Sequence, residues 1–205
     1  MLCDFVDSNE GSVAALSAAF GDVPGITVTR GRIGSRALPA TGPRVALVAA
    51  GNSFAHMSGG QDKAVSDACS GIHGRVDADV RRVIAEKWFG ELPVGACEIV
   101  AAHRGNPSGV GWLAYAPTTR VPEPLGASTL NPYLAFRGVL AAAMRHPSVD
   151  RIVCCSFCTG SCEVDPRESA RQMRAAWDSV ATFSGATETD LCRLFENHRR
   201  LTARA

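Results

Sequence analysis

Two short segments rich in apolar residues, at positions 45–50 and 151–157, constrain the fold of this chain more than any other feature. Each is followed directly by a loop of small residues and then by a segment with helical spacing. A strand that is apolar on both faces must be covered on both faces, which is typical of central strands in parallel sheets. The two segments therefore predict a sheet that carries helices on either side.

Strand and helix patterns alternate along the rest of the chain. Further strands are predicted at residues 2–6, 26–30, 96–101 and 112–116, and helices at 13–20, 62–69, 77–88, 131–144, 166–183 and 187–200. We expect a three-layer α/β/α sandwich with a mixed, largely parallel sheet. Residues 1–185 are expected to form this domain, and residues 186–205 a C-terminal helical extension.

The charge balance of the chain bears on its partners. With 21 basic and 20 acidic residues the net charge is +1, which leaves no large positive surface of the kind that nucleic acid requires. No stretch approaches the roughly 18 consecutive apolar residues of a membrane-spanning helix. Neither a nucleic acid nor a membrane is therefore expected as a partner.

The eight cysteines predict free thiols in a reducing compartment, because the N-terminus turns polar early and shows no signal-peptide pattern. The expected location is cytoplasmic or nuclear, which includes a virus- or phage-encoded protein inside its host. Four cysteines between Cys154 and Cys162 raise the alternative of structural zinc. However, Cys154 and Cys155 are adjacent in a predicted strand and point to opposite faces. Buried thiols are favoured, and neither a metal ion nor a cofactor is expected.

The loop after the first apolar segment has features of a ligand site. Gly59 and Gly60 let a ligand approach the backbone closely. Asp62 follows at the predicted start of a helix, where unpaired N–H groups and the helix dipole favour an anion such as phosphate. The alternative is an ordinary turn in which Asp62 caps the helix.

The loop after the second apolar segment, residues 158–162, has the sequence Cys-Thr-Gly-Ser-Cys. Its small residues would let main-chain N–H groups surround a diphosphate. The chain contains no Gly-x-x-x-x-Gly-Lys and no Gly-x-Gly-x-x-Gly pattern, which disfavours ATP hydrolysis and dinucleotide-linked hydride transfer.

Taken together, these features resemble the macro domain family of ADP-ribose-binding modules, in its divergent macro-like branch. Asn52, Gly59, Gly60 and Asp62 keep the order and spacing of the family's first loop. The dipeptide at residues 159–160 matches the family's diphosphate loop. The resemblance extends over residues 7–177.

The resemblance implies a role for each site residue. Asp7 would accept a hydrogen bond from the adenine amino group, and Ser8 would lie beside it. Asn52 would contact the distal ribose, and Pro117 and Thr118 would form a further wall. The diphosphate and distal ribose would be lined by small residues of both loops, namely Gly59, Gly60, Thr159, Gly160, Ser161 and Cys162.

Three functional hypotheses follow from the resemblance. The protein would bind ADP-ribose or an ADP-ribosylated protein, or it would also hydrolyse the ADP-ribosyl bond with Asn52 and Asp62 as catalytic residues. The third is a catalytically inactive structural or interaction module of viral or phage type. Several positions depart from the family pattern: Ala49 replaces an Asn, Ser58 a Gly, Gln61 a Val and Cys162 an aromatic residue. These departures bear on hydrolysis more than on binding.

Overall fold

The fold was analysed in a computed structural model that describes residues 1–34, 38–72, 74–183, 185 and 187–203. The described strands are β1 (Leu2–Asp7), β2 (Ile26–Arg30), β3 (Gly42–Asn52), β4 (Glu98–Ala101), β5 (Val110–Thr119) and β6 (Arg151–Cys154). The described helices are α1 (Glu10–Phe20), α2 (Gly60–Cys69), α3 (Val76–Trp88), α4 (Asn131–Arg145), α5 (Pro166–Ala181) and α6 (Glu188–Thr202).

The strands form one sheet in the order β2-β1-β6-β3-β5-β4. Every neighbouring pair is parallel except β4 and β5, which are antiparallel. The prediction of a mixed, largely parallel sheet is thus confirmed. Because β1, β6, β3 and β5 run in the same direction, their carboxyl ends meet at one edge of the sheet, where ligands bind in folds of this kind.

Each face of the sheet carries its own apolar core. On one face, Phe5 of β1 packs against Phe20 of α1 and Phe136 of α4, with ring centroids 4.8 and 5.8 Å apart. On the other face, Leu47 of β3 shares a cluster with residues of α2 and α3 such as Ile84. Successive residues of β3 alternate between the two clusters, as the pleat of a strand requires. The result is the predicted three-layer sandwich.

The end of β6 differs from its predicted position. The strand ends at Cys154 instead of residue 157. The chain leaves the sheet because the Ser156 N–H donates to the Asp7 carboxylate (3.1 Å). Phe157 then turns its ring onto Phe136, at a centroid distance of 5.7 Å. Apolar composition alone predicted too long a strand, because Phe157 belongs to a loop and is nevertheless buried in the core.

The C-terminal helix α6 packs along α5. Arg171 of α5 donates hydrogen bonds to the carbonyl oxygens of Arg200 and Leu201, each at 3.1 Å. Leu201 itself is buried. The proposed boundary at residue 185 stays a prediction. No helix in the described part of the chain is both long and apolar enough to cross a membrane.

Candidate ligand-binding cleft

A cleft of about 1110 Å³ opens at the carboxyl edge of the sheet. It lies between the loops that follow β1, β3 and β6 and the start of α2. Eleven of the twelve predicted site residues line it: Asp7, Ser8, Asn52, Gly59, Gly60, Asp62, Thr118, Thr159, Gly160, Ser161 and Cys162.

Pro117 is the predicted site residue that the structure does not place in the cleft. It is buried inside β5 and pairs with Gly51 of β3. Because neighbouring residues of a strand point to opposite faces, Thr118 can line the cleft while Pro117 points away from it.

A smaller cavity of about 480 Å³ lies between α5 and α6. The arginines in its wall are already paired with acidic groups: Arg174 with Asp22 and Asp178, and Arg200 with Glu196. None of the predicted site residues lines this cavity. The cleft at the strand ends is therefore the candidate site.

The loop from Gly51 to Gly59 (the first loop) is held from below by a buried tyrosine. The Tyr115 hydroxyl donates to the Asn52 carbonyl (2.6 Å) and accepts from the Asn52 N–H (3.1 Å). A Cβ atom at Gly51 would lie only 2.3 Å from the Tyr115 oxygen. Glycine is required at position 51 because the tyrosine occupies the space of a side chain.

The side chain of Asn52 also holds the first loop. Its Oδ1 accepts from the N–H groups of Phe54 (3.1 Å) and His56 (3.3 Å), and its Nδ2 donates to the His56 carbonyl (3.1 Å). An amide has two donors and an oxygen with two lone pairs. One N–H of Asn52 is therefore left to contact a ligand.

Bare backbone faces the cleft from both sides. Cβ atoms placed at Gly59, Gly60 and Gly160 would meet no atom within 4 Å. Gly60 also has a φ of +60°, a left-handed conformation that favours glycine. Since α2 begins at Gly60, its first N–H groups lack partners within the helix and are available to an anion.

Asp62 lies in the first turn of α2 and is half-buried. Burial raises the pKa of its carboxyl group. The Lys63 N–H, which donates to Oδ1 at 2.8 Å, and the nearby His56 oppose this shift without cancelling it. The outcome is a carboxylate with a weaker preference for its charged form, which suits a proton acceptor.

His56 was not among the predicted site residues. It lines the cleft close to Asp62, at the end of the segment that the Asn52 side chain holds. A single histidine in a loop carries no spacing signal, so the sequence could mark it only by its place between Asn52 and Asp62.

The loop from Cys155 to Asp165 (the second loop) is held by the predicted adenine-binding residue. Asp7 Oδ2 accepts hydrogen bonds from both the N–H and the hydroxyl of Ser156, and Oδ1 accepts from the Asn9 N–H (2.8 Å). The Ser156 hydroxyl is also 2.7 Å from that of Thr159. A carboxylate has about four acceptor positions, so Asp7 keeps one for a ligand.

Gln61 connects the start of α2 with the second loop. Its Oε1 accepts a hydrogen bond from the Cys155 thiol, with a sulfur–oxygen distance of 2.7 Å. The position departs from the expected valine. The contact gives the amide oxygen a partner, whereas the amide nitrogen Nε2 is buried without a hydrogen-bond partner among the described residues. Neither Gln61 nor Ser156 was predicted, because their partners are far away in the sequence.

Three cysteines of the second loop, Cys155, Cys158 and Cys162, line the cleft. Interaction with the Cys158 side chain is the main cause that lowers the pKa of Cys162. The same interaction, together with burial, raises the pKa of Cys158. The Cys158 thiol itself donates to the Thr118 carbonyl, at a sulfur–oxygen distance of 3.6 Å. Among the described residues, no group of three or more potential ligands is arranged to hold a metal ion.

Comparison with known proteins relies on structure. No protein-family model and no curated protein sequence matches the chain. The Oceanobacillus iheyensis macrodomain with MES bound matches with a TM-score of 0.53 and 17% identity, over 83% of this chain and 88% of that chain. The same macrodomain with ADP gives 0.53 and 17%, over 83% and 88%. This chain has the macrodomain fold.

The likeness extends to a ligand-bound structure of a macrodomain mutant. A mutant of the same Oceanobacillus iheyensis protein with ADPR matches with a TM-score of 0.53 and 16% identity, covering 83% of this chain and 90% of that chain. At such low identity the likeness concerns the macrodomain fold. What the cleft binds in this chain has to be argued from its own residues.

Proposed function

We propose that the protein binds ADP-ribose, free or attached to a protein, in the strand-end cleft. The observation that carries the proposal is the bare backbone on both sides of one cleft, at Gly59 and Gly60 and at Gly160, with Asp7 lining the same cleft. Structures of the same fold hold ADP and ADPR, which supports the choice of ligand.

The diphosphate would lie between the two loops. Its oxygens would accept from the free N–H groups at the start of α2, where the helix dipole also favours negative charge. On the other side, the Thr159 and Ser161 hydroxyls line the cleft. No Cβ at Gly59, Gly60 or Gly160 separates phosphate from backbone.

The adenine would be selected by Asp7. An ionised carboxylate only accepts hydrogen bonds, so its free position suits the amino group of adenine. Guanine presents a carbonyl oxygen at the corresponding position, which would face the carboxylate with both groups as acceptors. We therefore expect adenine nucleotides to bind more tightly than guanine nucleotides.

Calorimetry with ADP-ribose tests the proposal. We expect binding by the natural sequence, tighter binding of ADP than of GDP, and a large loss for Gly160→Val. The valine would fill space that is open in the cleft. Gly126→Val is the matched control, because Gly126 is exposed, lies outside the cleft and has open space around it.

Absence of ADP-ribose binding would contradict the proposal. If millimolar ADP-ribose gives no heat and no shift in melting temperature, the proposal is wrong. The third hypothesis, an inactive structural or interaction module, would then be favoured.

A second candidate function is hydrolysis of an ADP-ribosyl bond. It is favoured by Asp62, whose carboxyl pKa is raised by burial, beside His56 in the same cleft. A base of this kind would deprotonate a water molecule, and Asn52 would place the distal ribose with its remaining N–H. The carboxylate would also stabilise positive charge developing on the ribose.

Release of ADP-ribose from a mono-ADP-ribosylated protein tests this second function. We expect Asp62→Asn to abolish release and keep ADP-ribose binding within a few-fold, since an amide oxygen can still accept from the Lys63 N–H. Binding without any release by the natural sequence would leave a binding module. Release that survives Asp62→Asn would show that another group is the base.

We also propose a reducing location, cytoplasmic or nuclear. This rests on the eight free cysteines, seven of them at least partly buried. Cys3 and Cys154 lie with their sulfur atoms 3.9 Å apart, and both are free cysteines without a disulfide.

A further inference from the structure

We propose that Gln61 is a further ligand-binding residue, whose side-chain amide donates a hydrogen bond to the diphosphate of the bound nucleotide. This inference rests on the proposed function, which supplies the diphosphate. It adds a side-chain donor to the main-chain N–H groups of the two loops. The diphosphate, and not the adenosine, would be the part of the ligand that this residue recognises.

Only one end of the Gln61 amide has a partner. Its Oε1 accepts a hydrogen bond from the Cys155 thiol, at 2.7 Å. Its Nε2 is buried and has no hydrogen-bond partner among the described residues. An amide nitrogen carries two N–H groups, and leaving them unpaired away from water costs free energy. A buried polar atom of this kind points to a partner from outside the described chain.

The position of the amide points to a ligand as that partner. Gln61 lies in the first turn of α2 and lines the cleft. Cys155, which the amide contacts, directly follows the inner strand β6 and lines the same cleft. The amide therefore lies between the start of α2 and the second loop, the two sides from which the diphosphate would be bound.

A second buried polar atom without a partner, the Ser12 hydroxyl oxygen, provides a contrast. Ser12 is fully buried within α1 and does not line the cleft. Gln61 as a whole is only partly buried and does line it, so a ligand in the cleft reaches this residue. The orphaned donor of Gln61 is thus the one that a bound molecule can satisfy.

A small movement would bring Nε2 to the ligand. The last side-chain torsion of glutamine has broad minima, so the amide can turn towards the cleft at little cost. The Cys155 thiol also donates to the Ser156 carbonyl (2.8 Å), and it keeps this acceptor when the amide turns. A thiol is a weak donor, whereas a hydrogen bond to a charged phosphate oxygen is strong. The exchange of partners therefore favours the ligand.

Calorimetry and melting curves of Gln61→Met test the proposal. Methionine has nearly the same length as glutamine but no donor. We expect affinity for ADP-ribose to fall about tenfold, as for the loss of a charge-assisted hydrogen bond. The melting temperature should stay equal or rise, because a buried donor without a partner is removed. A side chain that only held the second loop would lose stability and affinity together, and that result would overturn the proposal.

Gln172→Met is the matched control. Gln172 is buried away from the cleft, and both ends of its amide are paired. Its Oε1 accepts from the Tyr133 N–H (3.3 Å), and its Nε2 donates to the Thr129 carbonyl (2.8 Å). We expect this variant to have a lower melting temperature and a nearly unchanged affinity for ADP-ribose. The same substitution at the two glutamines should thus give opposite results.

A series of ligands tests which part of the nucleotide Gln61 contacts. Gln61→Met should weaken the binding of ADP-ribose, ADP and inorganic pyrophosphate by similar factors and leave adenosine binding unchanged. Gln61→Glu should weaken the three phosphate ligands more strongly, because a carboxylate would face the diphosphate with like charge. Pyrophosphate affinity that neither variant changes, or adenosine affinity that falls as much as that of ADP-ribose, would overturn the proposal.

The possible outcomes separate this inference from the proposed function. If the natural sequence and Gln61→Met bind ADP-ribose equally well, the proposed function stands and the role of Gln61 is overturned. If the natural sequence binds pyrophosphate but not ADP-ribose, the proposed function fails, while weaker pyrophosphate binding by Gln61→Met still supports the contact. Absence of binding for both ligands would overturn both.

Discussion

The two loops that border the cleft are held in different ways. The first loop is fixed by Tyr115 beneath it and by the Asn52 side chain within it. The second loop is fixed by Asp7 through Ser156 and Thr159. Asp7 is also the residue proposed to bind adenine. One loop is thus built before the ligand arrives, and the other shares its main support with the ligand.

This difference has a consequence for binding. A ligand that contacts the first loop meets the remaining N–H of Asn52, which is not one of the bonds that hold the loop. A ligand that contacts Asp7 acts on the same carboxylate that orients Ser156, so the adenine and diphosphate halves of the site are connected. The first loop therefore forms a rigid wall of the cleft, and the second loop couples the binding of adenine to the binding of the diphosphate.

The largest expected effect tests the rigidity of the first loop. Gly51→Ala would place a Cβ 2.3 Å from the oxygen and 2.8 Å from a ring carbon of Tyr115, which is fully buried and cannot move aside. We expect a loss of about 3 kcal/mol in the free energy of unfolding. Gly160→Ala, on the second loop, has open space and should be nearly neutral. Urea unfolding of both variants would measure the contrast, and equal stabilities would contradict it.

The next effect tests the coupling through the second loop. Asp7→Asn replaces one carboxylate oxygen by a donor, so it cannot accept from both Ser156 and Asn9, and it removes the negative charge. We expect ADP-ribose affinity to fall about 30-fold, or roughly 2 kcal/mol, the loss typical of a hydrogen bond to a charged group. Binding of inorganic pyrophosphate should weaken as well, because the diphosphate loop loses its support.

Ser156→Ala is the control for this coupling. It removes the hydroxyl that bridges Asp7 and Thr159 but keeps the acceptor for adenine. Its effect should be smaller and similar for ADP-ribose and pyrophosphate in calorimetry. If Asp7→Asn leaves pyrophosphate binding unchanged, Asp7 acts on adenine alone and the two halves are independent.

Asn52 provides a smaller test of the first loop. Asn52→Ala removes two accepted hydrogen bonds and one donated hydrogen bond, and we expect a loss of about 1–2 kcal/mol in the free energy of unfolding. Asn52→Asp keeps the two accepted hydrogen bonds, so its free energy of unfolding should lie between those of the natural sequence and Asn52→Ala. Thermal unfolding at neutral pH would rank the three proteins. An alanine variant as stable as the natural sequence would show that the loop does not need this amide.

The smallest effect concerns Asp62 and pH. Burial raises the pKa of this carboxyl in the folded state, so protonation of Asp62 stabilises the folded protein. This stabilisation is lost as pH rises through the folded-state pKa. Asp62→Asn should therefore stabilise the protein at pH 7, by less than about 1 kcal/mol because solvent still reaches the carboxylate. The gain should disappear in acid, below the ordinary carboxyl pKa. A gain that is equal at both pH values would contradict this account.

The sequence predicted the layers and the place of the site more readily than its hydrogen bonds. Apolar segments revealed the strands, and the order of Asn52, Gly59, Gly60 and Asp62 located the first loop. The strand order, in which β6 lies between β1 and β3, could not be deduced, because it depends on contacts between distant segments. Since that order brings Asp7 next to Ser156, the network between them was not predictable either.

Local rules had limits within the site as well. Pro117 and Thr118 were predicted as one wall, but the strand continues through both and turns them to opposite faces. His56 and Gln61 are residue types that occur in any turn, and only their distant partners distinguish them. The sequence was informative where the backbone itself is special, as at the glycines, and less so where side chains meet across the fold.

The order of the strands has one more consequence, for self-association. The two edges of the sheet are β2 and β4, of five and four residues. Short edge strands offer little unpaired backbone onto which a second chain could add a strand. The long strands β3 and β5, of 11 and 10 residues, are neighbours inside the sheet. We therefore expect the protein to resist aggregation through its sheet at the high concentrations that ligand titrations require.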